Sequence, residues 1–164
     1  MFRRIFPFLA VLLFVVADTS VVPMAAQGWL YPLFGYTAVL TFGLLLGRTR
    51  GALYGIIAGL LVDVTSSIPF GLMTVLYAVG GFASGFAGRK LRRNVLSTVL
   101  APLACLLVFE AGMLCYAAIA GMDFAPVLLY RAGARILVNV VLVQLEYLLF
   151  DLVCRPKTSR YETR

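Results

Sequence analysis

Residues 95–120 read VLSTVLAPLACLLVFEAGMLCYAAIA, and Glu110 is the one charged residue among them. A helix that crosses the apolar core of a bilayer needs about 20 predominantly apolar residues, so this run predicts a transmembrane helix. The rest of the chain has the same character, since 62% of its 164 residues are apolar and 13% are charged. A soluble domain carries about 25% charged residues, and the mean hydropathy here is +0.99. The sequence therefore predicts an integral membrane protein and excludes a soluble enzyme, a disordered chain and a disulfide-stapled secreted domain.

Six apolar runs of this kind follow one another, and they predict an all-α, polytopic membrane bundle of six transmembrane helices within residues 1–154. The predicted spans cover residues 5–22, 29–47, 51–66, 70–88, 95–120 and 125–153. Residues 155–164 are predicted to form a short basic cytoplasmic tail. The first run follows Arg3 and Arg4, as in a signal peptide, but no suitably spaced small residues mark a cleavage site, so we expect an uncleaved span.

The distribution of positive charge predicts the orientation. With the N-terminus in the cytoplasm, twelve of the 14 Lys and Arg residues fall in cytoplasmic segments and none falls in the three outer turns. Positive residues favour the cytoplasmic side, so both termini are expected there. This topology accounts for the net charge of +7 without a nucleic-acid partner. The basic loop of Arg89, Lys90, Arg92 and Arg93 is then either a topology signal or a docking site for a cytoplasmic filament or acidic membrane lipid.

Polar side chains inside the spans are candidates for function, because charge is costly within a membrane. Those predicted to lie in the outer half form a set that we call the outer polar set: Asp18, Asp63, Glu110, Arg131, Arg135 and Asn139. On the sixth span, Arg131, Arg135 and Asn139 share one helical face with Glu146. This stripe is either a contact surface for a partner, a polar ligand pocket, or a set of internal ion pairs that fix the helices.

Small residues recur every four positions in the third and fourth spans. The third span has Gly51, Gly55 and Gly59, and the fourth has Gly80, Ser84 and Gly88. Small residues at this spacing let helix backbones approach closely. The pattern fits either packing within one bundle or a dimer face.

The sequence carries no catalytic or metal-binding constellation. It has no His and only three Cys, Cys105, Cys115 and Cys154, with no CxxC pair, so a Cys/His metal site lacks ligands. Cys105 and Cys115 are too far apart along one predicted helix to form a disulfide. Asp63 and Glu110 could act as paired carboxylates, but nothing else positions a substrate. We therefore expect no enzymatic activity, no cofactor and no metal.

Residues 51–63, GALYGIIAGLLVD, and then residues 68–72, IPFGL, resemble the core of the rod shape-determining protein MreD family. Its members have a glycine-spaced helix that ends in Gly-Leu-x-x-Asp, followed by a short turn with a Pro-x-Gly-like element. The polar interruption at residues 18–20 and Pro32 also fit. The chain departs from the family pattern at Asp18, where a Gln or Asn is common, and at Leu33, where a polar residue is common.

The resemblance implies a non-catalytic scaffold of the bacterial elongation machinery, in the cytoplasmic (inner) membrane. Its expected partner is an MreC-like single-span periplasmic coiled-coil protein. An MreB-like filament, a RodA-like glycosyltransferase and a penicillin-binding transpeptidase are expected as indirect partners. The family fold is similar to the substrate-binding subunits of energy-coupling-factor transporters, so a small-molecule transporter subunit is the alternative. The outer turns of only a few residues argue against that alternative.

Overall fold

The computed structural model describes residues 2–21, 32–66, 69–90, 95–121 and 126–154, and every regular element in these ranges is helical. The helices are α1 (Phe2–Val16), which continues into a π-helical turn at Ala17–Val21, α2 (Phe34–Leu46), α3 (Arg48–Thr65), α4 (Leu72–Lys90), α5 (Val95–Ile119) and α6 (Pro126–Cys154). The prediction of an all-α chain is therefore confirmed. The predicted basic tail, residues 155–164, lies outside the described residues.

Helix α2 is the centre of the bundle and contacts each of the other five helices. It carries no charged residue, and all nine residues from Gly35 to Gly43 are buried. Aromatic rings pack on it from several sides: the Tyr36 ring centroid lies 4.6 Å from that of Phe109 and 4.9 Å from that of Tyr77. A helix surrounded on all sides can be apolar over most of its surface, and the only polar side-chain groups of α2 are the hydroxyls of Tyr36, Thr37 and Thr41.

Helices α3 and α4 make the most extensive contact in the bundle. A Cβ atom added at Gly51, Gly55 or Gly59 would lie closer than 3.0 Å to backbone atoms of α4. The same holds in reverse for Gly81 and Gly85, which face the backbone at the start of α3. The glycines therefore let two backbones touch directly, as small residues do between membrane helices.

The connection between α2 and α3 is shorter than the sequence indicates. The predicted spans end at residue 47 and resume at residue 51, which leaves 48–50 as a charged turn, but Gly47 alone makes the turn and Arg48–Arg50 form the first turn of α3. Gly47 has a φ of 93°, which a residue with a Cβ rarely adopts. One glycine therefore reverses the chain and leaves the arginines at the base of α3.

Helix α5 contains Pro102, which has no N–H to donate to the carbonyl oxygen four residues earlier. That oxygen belongs to Thr98, and it accepts a hydrogen bond from Nε2 of Gln144 on α6 at 2.9 Å. A polar side chain of α6 thus replaces the backbone donor that proline removes.

Among the residues that the structure describes, two helices contain a stretch long and apolar enough to cross a membrane, namely Thr98–Ile119 and Leu129–Leu152. Three shorter apolar helical stretches span Pro7–Ser20, Phe34–Leu46 and Leu72–Gly88. Large apolar side chains are exposed on α1 and on α3 to α6, whereas none is exposed on α2. The surface of the described bundle is therefore apolar on all its peripheral helices, which suits a lipid environment better than water.

Candidate functional site

Asp63 caps the start of helix α4. Its carboxylate accepts hydrogen bonds from the backbone N–H groups of Gly71, Met73 and Thr74, each at 3.0 Å, and from the Thr74 hydroxyl. Gly71 has a φ of 100°, and this conformation turns the chain so that its N–H points back at α3. The first N–H groups of a helix have no partner within it, and a negative charge there is favourable. Asp63, which is 3% exposed, therefore locks α3 to α4.

Asp18 and Asn139 together cap the start of helix α2. The Asp18 carboxylate accepts hydrogen bonds from the N–H groups of Phe34 at 2.9 Å and Gly35 at 2.6 Å. The Asn139 side-chain oxygen accepts one from Leu33 N–H at 2.9 Å. Asp18 lies in the π-helical turn that ends the first helix, and such turns reorient side chains. Side chains of α1 and α6 thus meet at the buried end of the central helix.

Glu146 lies against two threonines of α2 and is 5% exposed. The Thr37 hydroxyl oxygen lies 2.9 Å from Glu146 Oε1, and the Thr41 hydroxyl oxygen lies 3.4 Å from Oε2. The Thr37 hydroxyl also lies 3.0 Å from two backbone carbonyl oxygens, of Leu33 and Phe34. These contacts add a second polar link between α2 and α6. Along α2, Thr37 and Thr41 lie about one and two turns after Leu33, whose N–H Asn139 binds.

Glu110 of α5 and Arg135 of α6 form an ion pair, with Arg135 Nη2 at 2.5 Å from Glu110 Oε2. The pair is incompletely bonded, because Glu110 Oε1 and Arg135 Nε are buried without a hydrogen-bond partner. The side chain of Glu110 is almost fully buried, whereas that of Arg135 is 27% exposed. Arg131, one turn before Arg135, is exposed.

The outer polar set is therefore divided among three places. Asp63 lies between α3 and α4, Asp18 and Asn139 lie at the start of α2, and Glu110 and Arg135 join α5 to α6. Among the described residues, one of the three carboxylates of the set pairs with an arginine, and the other two bind backbone N–H groups. Ser84, which is fully buried, donates to Gly81 O within α4. Of the basic loop, Arg89 and Lys90 end α4, whereas Arg92 and Arg93 lie outside the described residues.

Sequence reasoning missed the partners of the polar residues on α6. Thr37 and Thr41 are four residues apart in an otherwise apolar helix, so they share one face, and this spacing could have indicated a polar neighbour. Gln144 could have been found in the same way, because Pro102 leaves one carbonyl of α5 without a backbone donor. In the described part of the chain, no three His, Cys, Asp or Glu residues are grouped as a metal site would require.

An apolar cavity of about 110 Å³ opens between α4 and α5. It is lined by apolar and small residues, and Tyr36 lies among them: Tyr36, Val79, Gly80, Ala83, Ala104, Cys105 and Val108. The Tyr36 hydroxyl donates to the carbonyl oxygen of Cys105 at 3.1 Å. No member of the outer polar set lines this cavity.

The arrangement is one in which polar side chains fix helix ends and helix pairs. A family model described as rod shape-determining protein MreD matches residues 2–156. No curated protein and no solved structure matches the chain significantly.

Proposed function

The chain belongs to the rod shape-determining protein MreD family, and from this we propose that it is a non-catalytic scaffold of the bacterial cell-elongation machinery. The family is a membrane protein family with a role in rod-shape determination and is associated with the MreC/MreB shape machinery. The proposed scaffold lies in the inner membrane and binds an MreC-like single-span protein. An MreB-like filament, a RodA-like glycosyltransferase and a penicillin-binding transpeptidase are its indirect partners.

The family match over residues 2–156 is the observation that carries this proposal. The contacts of the polar residues support it, because a scaffold needs a rigid surface rather than a reactive site. Asp18, Asp63 and Asn139 use their oxygens to hold helix starts. The scaffold surface would then be formed by side chains that the bundle itself does not use.

We also propose that the bundle crosses the membrane six times with both termini in the cytoplasm. The exposed apolar side chains on α1 and on α3 to α6 support this topology, as does the absence of Lys and Arg from the three predicted outer turns. Helix α2 has 13 residues, or about 20 Å, so residues before Phe34 would have to complete the second span.

The alternative, a substrate-binding subunit of an energy-coupling-factor type transporter, finds no support in the comparisons, since no solved structure matches. The cavity between α4 and α5 contains none of the charged residues that would orient a polar ligand. We therefore retain the scaffold as the proposed function.

The test is complementation in a rod-shaped bacterium depleted of its own family member, combined with affinity purification of the tagged chain in mild detergent. We expect the chain to restore rods and to bring down a single-span coiled-coil protein. Asp63→Ala, which removes the cap of α4, should reduce rescue at equal expression, while Gly133→Ala should rescue normally. A Cβ at Gly133 meets nothing within 4 Å, so it is a matched helical control.

Two results would contradict the proposal. One is a chain that is present in the membrane at normal level but neither restores rods nor retains a single-span partner. The other is purification with a pair of cytoplasmic ATPases and a coupling membrane subunit, which would establish the transporter alternative.

A further inference from the structure

Helix α6 has an exposed stripe and a buried stripe, with two arginines between them. Tyr130, Leu137 and Val141 are 60–75% exposed, whereas Asn139 and Glu146 belong to the buried face. At about 100° per residue, Arg131 and Arg135 lie on the flank between these stripes, on the side where Arg135 meets Glu110 of α5. We call Glu110, Arg131 and Arg135 the arginine flank.

The charges of the arginine flank do not balance among the described residues, because Glu110 pairs with Arg135 and the exposed Arg131 is left as a second guanidinium group. Glu110 is 3% exposed, yet its Oε1 has no hydrogen-bond partner, and neither has Nε of Arg135. Two of the four buried side-chain atoms that lack a partner in the described structure thus belong to one ion pair. By contrast, both carboxylate oxygens of Asp18 and of Asp63 are bonded.

An arginine in an apolar layer needs an anion, because an uncompensated charge there is costly. A guanidinium group matches a carboxylate in shape and can bind it through two parallel N–H donors. The member of the exposed stripe nearest to Arg131 around the helix is Val141, which lies about 80° away; it is apolar and 60% exposed, and it suits contact with another helix rather than with water. Charge and shape together thus point to one kind of occupant.

We infer that the arginine flank is the docking site of a partner transmembrane helix that carries an Asp or Glu in its outer half, and that Arg131 binds this carboxylate. The inference rests on the proposed function, since it specifies the chemistry of the partner that the scaffold holds. The partner carboxylate balances the second guanidinium group, and its apolar neighbours cover the exposed stripe of α6.

The experiment places a photo-crosslinking amino acid at Val141, in the full-length chain in native membranes. The control position is Val64 on α3, which is 73% exposed against 60% for Val141. We expect Val141 to crosslink to a single-span protein whose crosslinked segment contains an Asp or Glu, and Val64 not to do so. Arg131→Gln should lower the yield about tenfold, which corresponds to about 1.4 kcal/mol. Arg50→Gln, the same change at an exposed residue of α3, should leave the yield unchanged.

The outcomes separate this inference from the proposed function. Crosslinking from Val141 to phospholipid alone, to a helix without a carboxylate, or to nothing overturns the inference, as does a yield that Arg131→Gln leaves unchanged. If the single-span partner is purified with the chain and crosslinks at Val64 instead, the scaffold stands and the docking site is wrong. If no such partner is purified and rods are not restored, the proposed function itself fails. Thermal unfolding of the detergent-solubilised Arg131→Gln variant, matched to that of the unsubstituted chain, excludes misfolding as the cause of a lower yield.

Discussion

The direct backbone contact between α3 and α4 makes Gly55→Ala the most informative single substitution. A Cβ at residue 55 would lie 2.7 Å from the carbonyl carbon of Tyr77 and 2.8 Å from Cα of Ala78, whereas ordinary contacts begin at 3.4 Å. Both neighbours are backbone atoms, so no side chain can rotate to make room. The carbonyl oxygen of Tyr77 would lie closer still to this Cβ, so the helices must move apart by more than 0.7 Å at this point.

The cost of that movement follows from what the contact contains. Overpacking a well-packed interface costs about 1–3 kcal/mol. Gly51 and Gly59 lie one turn on either side of Gly55 and depend on the same helix separation, so we expect the upper half of that range. The intrinsic preference of a helix for Ala over Gly opposes the cost by no more than about 1 kcal/mol.

The assay is reversible unfolding in mixed micelles with increasing denaturing detergent, followed by tryptophan or dye fluorescence. Gly133→Ala is the control, because Gly133 is also helical and a Cβ there meets nothing within 4 Å. We expect Gly55→Ala to lower the free energy of unfolding by about 2 kcal/mol and Gly133→Ala to leave it unchanged or raise it slightly. Equal midpoints for the two variants would refute the packing argument.

Three further predictions concern the polar contacts, and each is checked by the same unfolding assay. Asp63→Asn should destabilise the fold by at least about 2 kcal/mol, since an amide cannot accept all the hydrogen bonds that the carboxylate accepts. Gln144→Leu should cost about 1–3 kcal/mol in the natural sequence but little in a Pro102→Ala background, where α5 regains its backbone donor. Arg135→Gln should cost about 3–5 kcal/mol, whereas the double variant with Glu110→Gln should recover most of it, because no buried charge is left unpaired.

The sequence predicts the long helices well because the hydrophobic effect acts on composition alone. The run at residues 95–120 differs by one residue from α5, and the run at residues 125–153 differs by one at each end from α6. The shorter elements are less well predicted. The turn between α2 and α3 depends on the backbone conformation of Gly47. The charged residues that follow it, such as Arg48, indicate a longer turn when only the pattern of polar residues is considered.

The partners of the polar residues are harder to predict because half of each contact is backbone. The charges in the sequence suggest that carboxylates pair with arginines, and the ion pair between Glu110 and Arg135 agrees with that expectation. Asp18 and Asp63 bind N–H groups at the starts of helices instead. Every helix start offers such donors, so the sequence does not specify which one a distant carboxylate will reach.

The hydrogen bonds of the polar residues divide them into two groups with different expected roles. Asp18 and Asp63 bind donors from within the chain through both carboxylate oxygens, so their substitution should first loosen the bundle. Arg131 is exposed and lies one turn before Arg135, whose charge Glu110 already balances, so its substitution should first weaken a contact outside the chain. A scaffold needs both kinds of residue, since a partner helix can be positioned only by a surface whose own helices do not move. Stability and partner binding should therefore respond to different substitutions. Measuring both on the same variants distinguishes the residues that hold the bundle together from those that bind the partner.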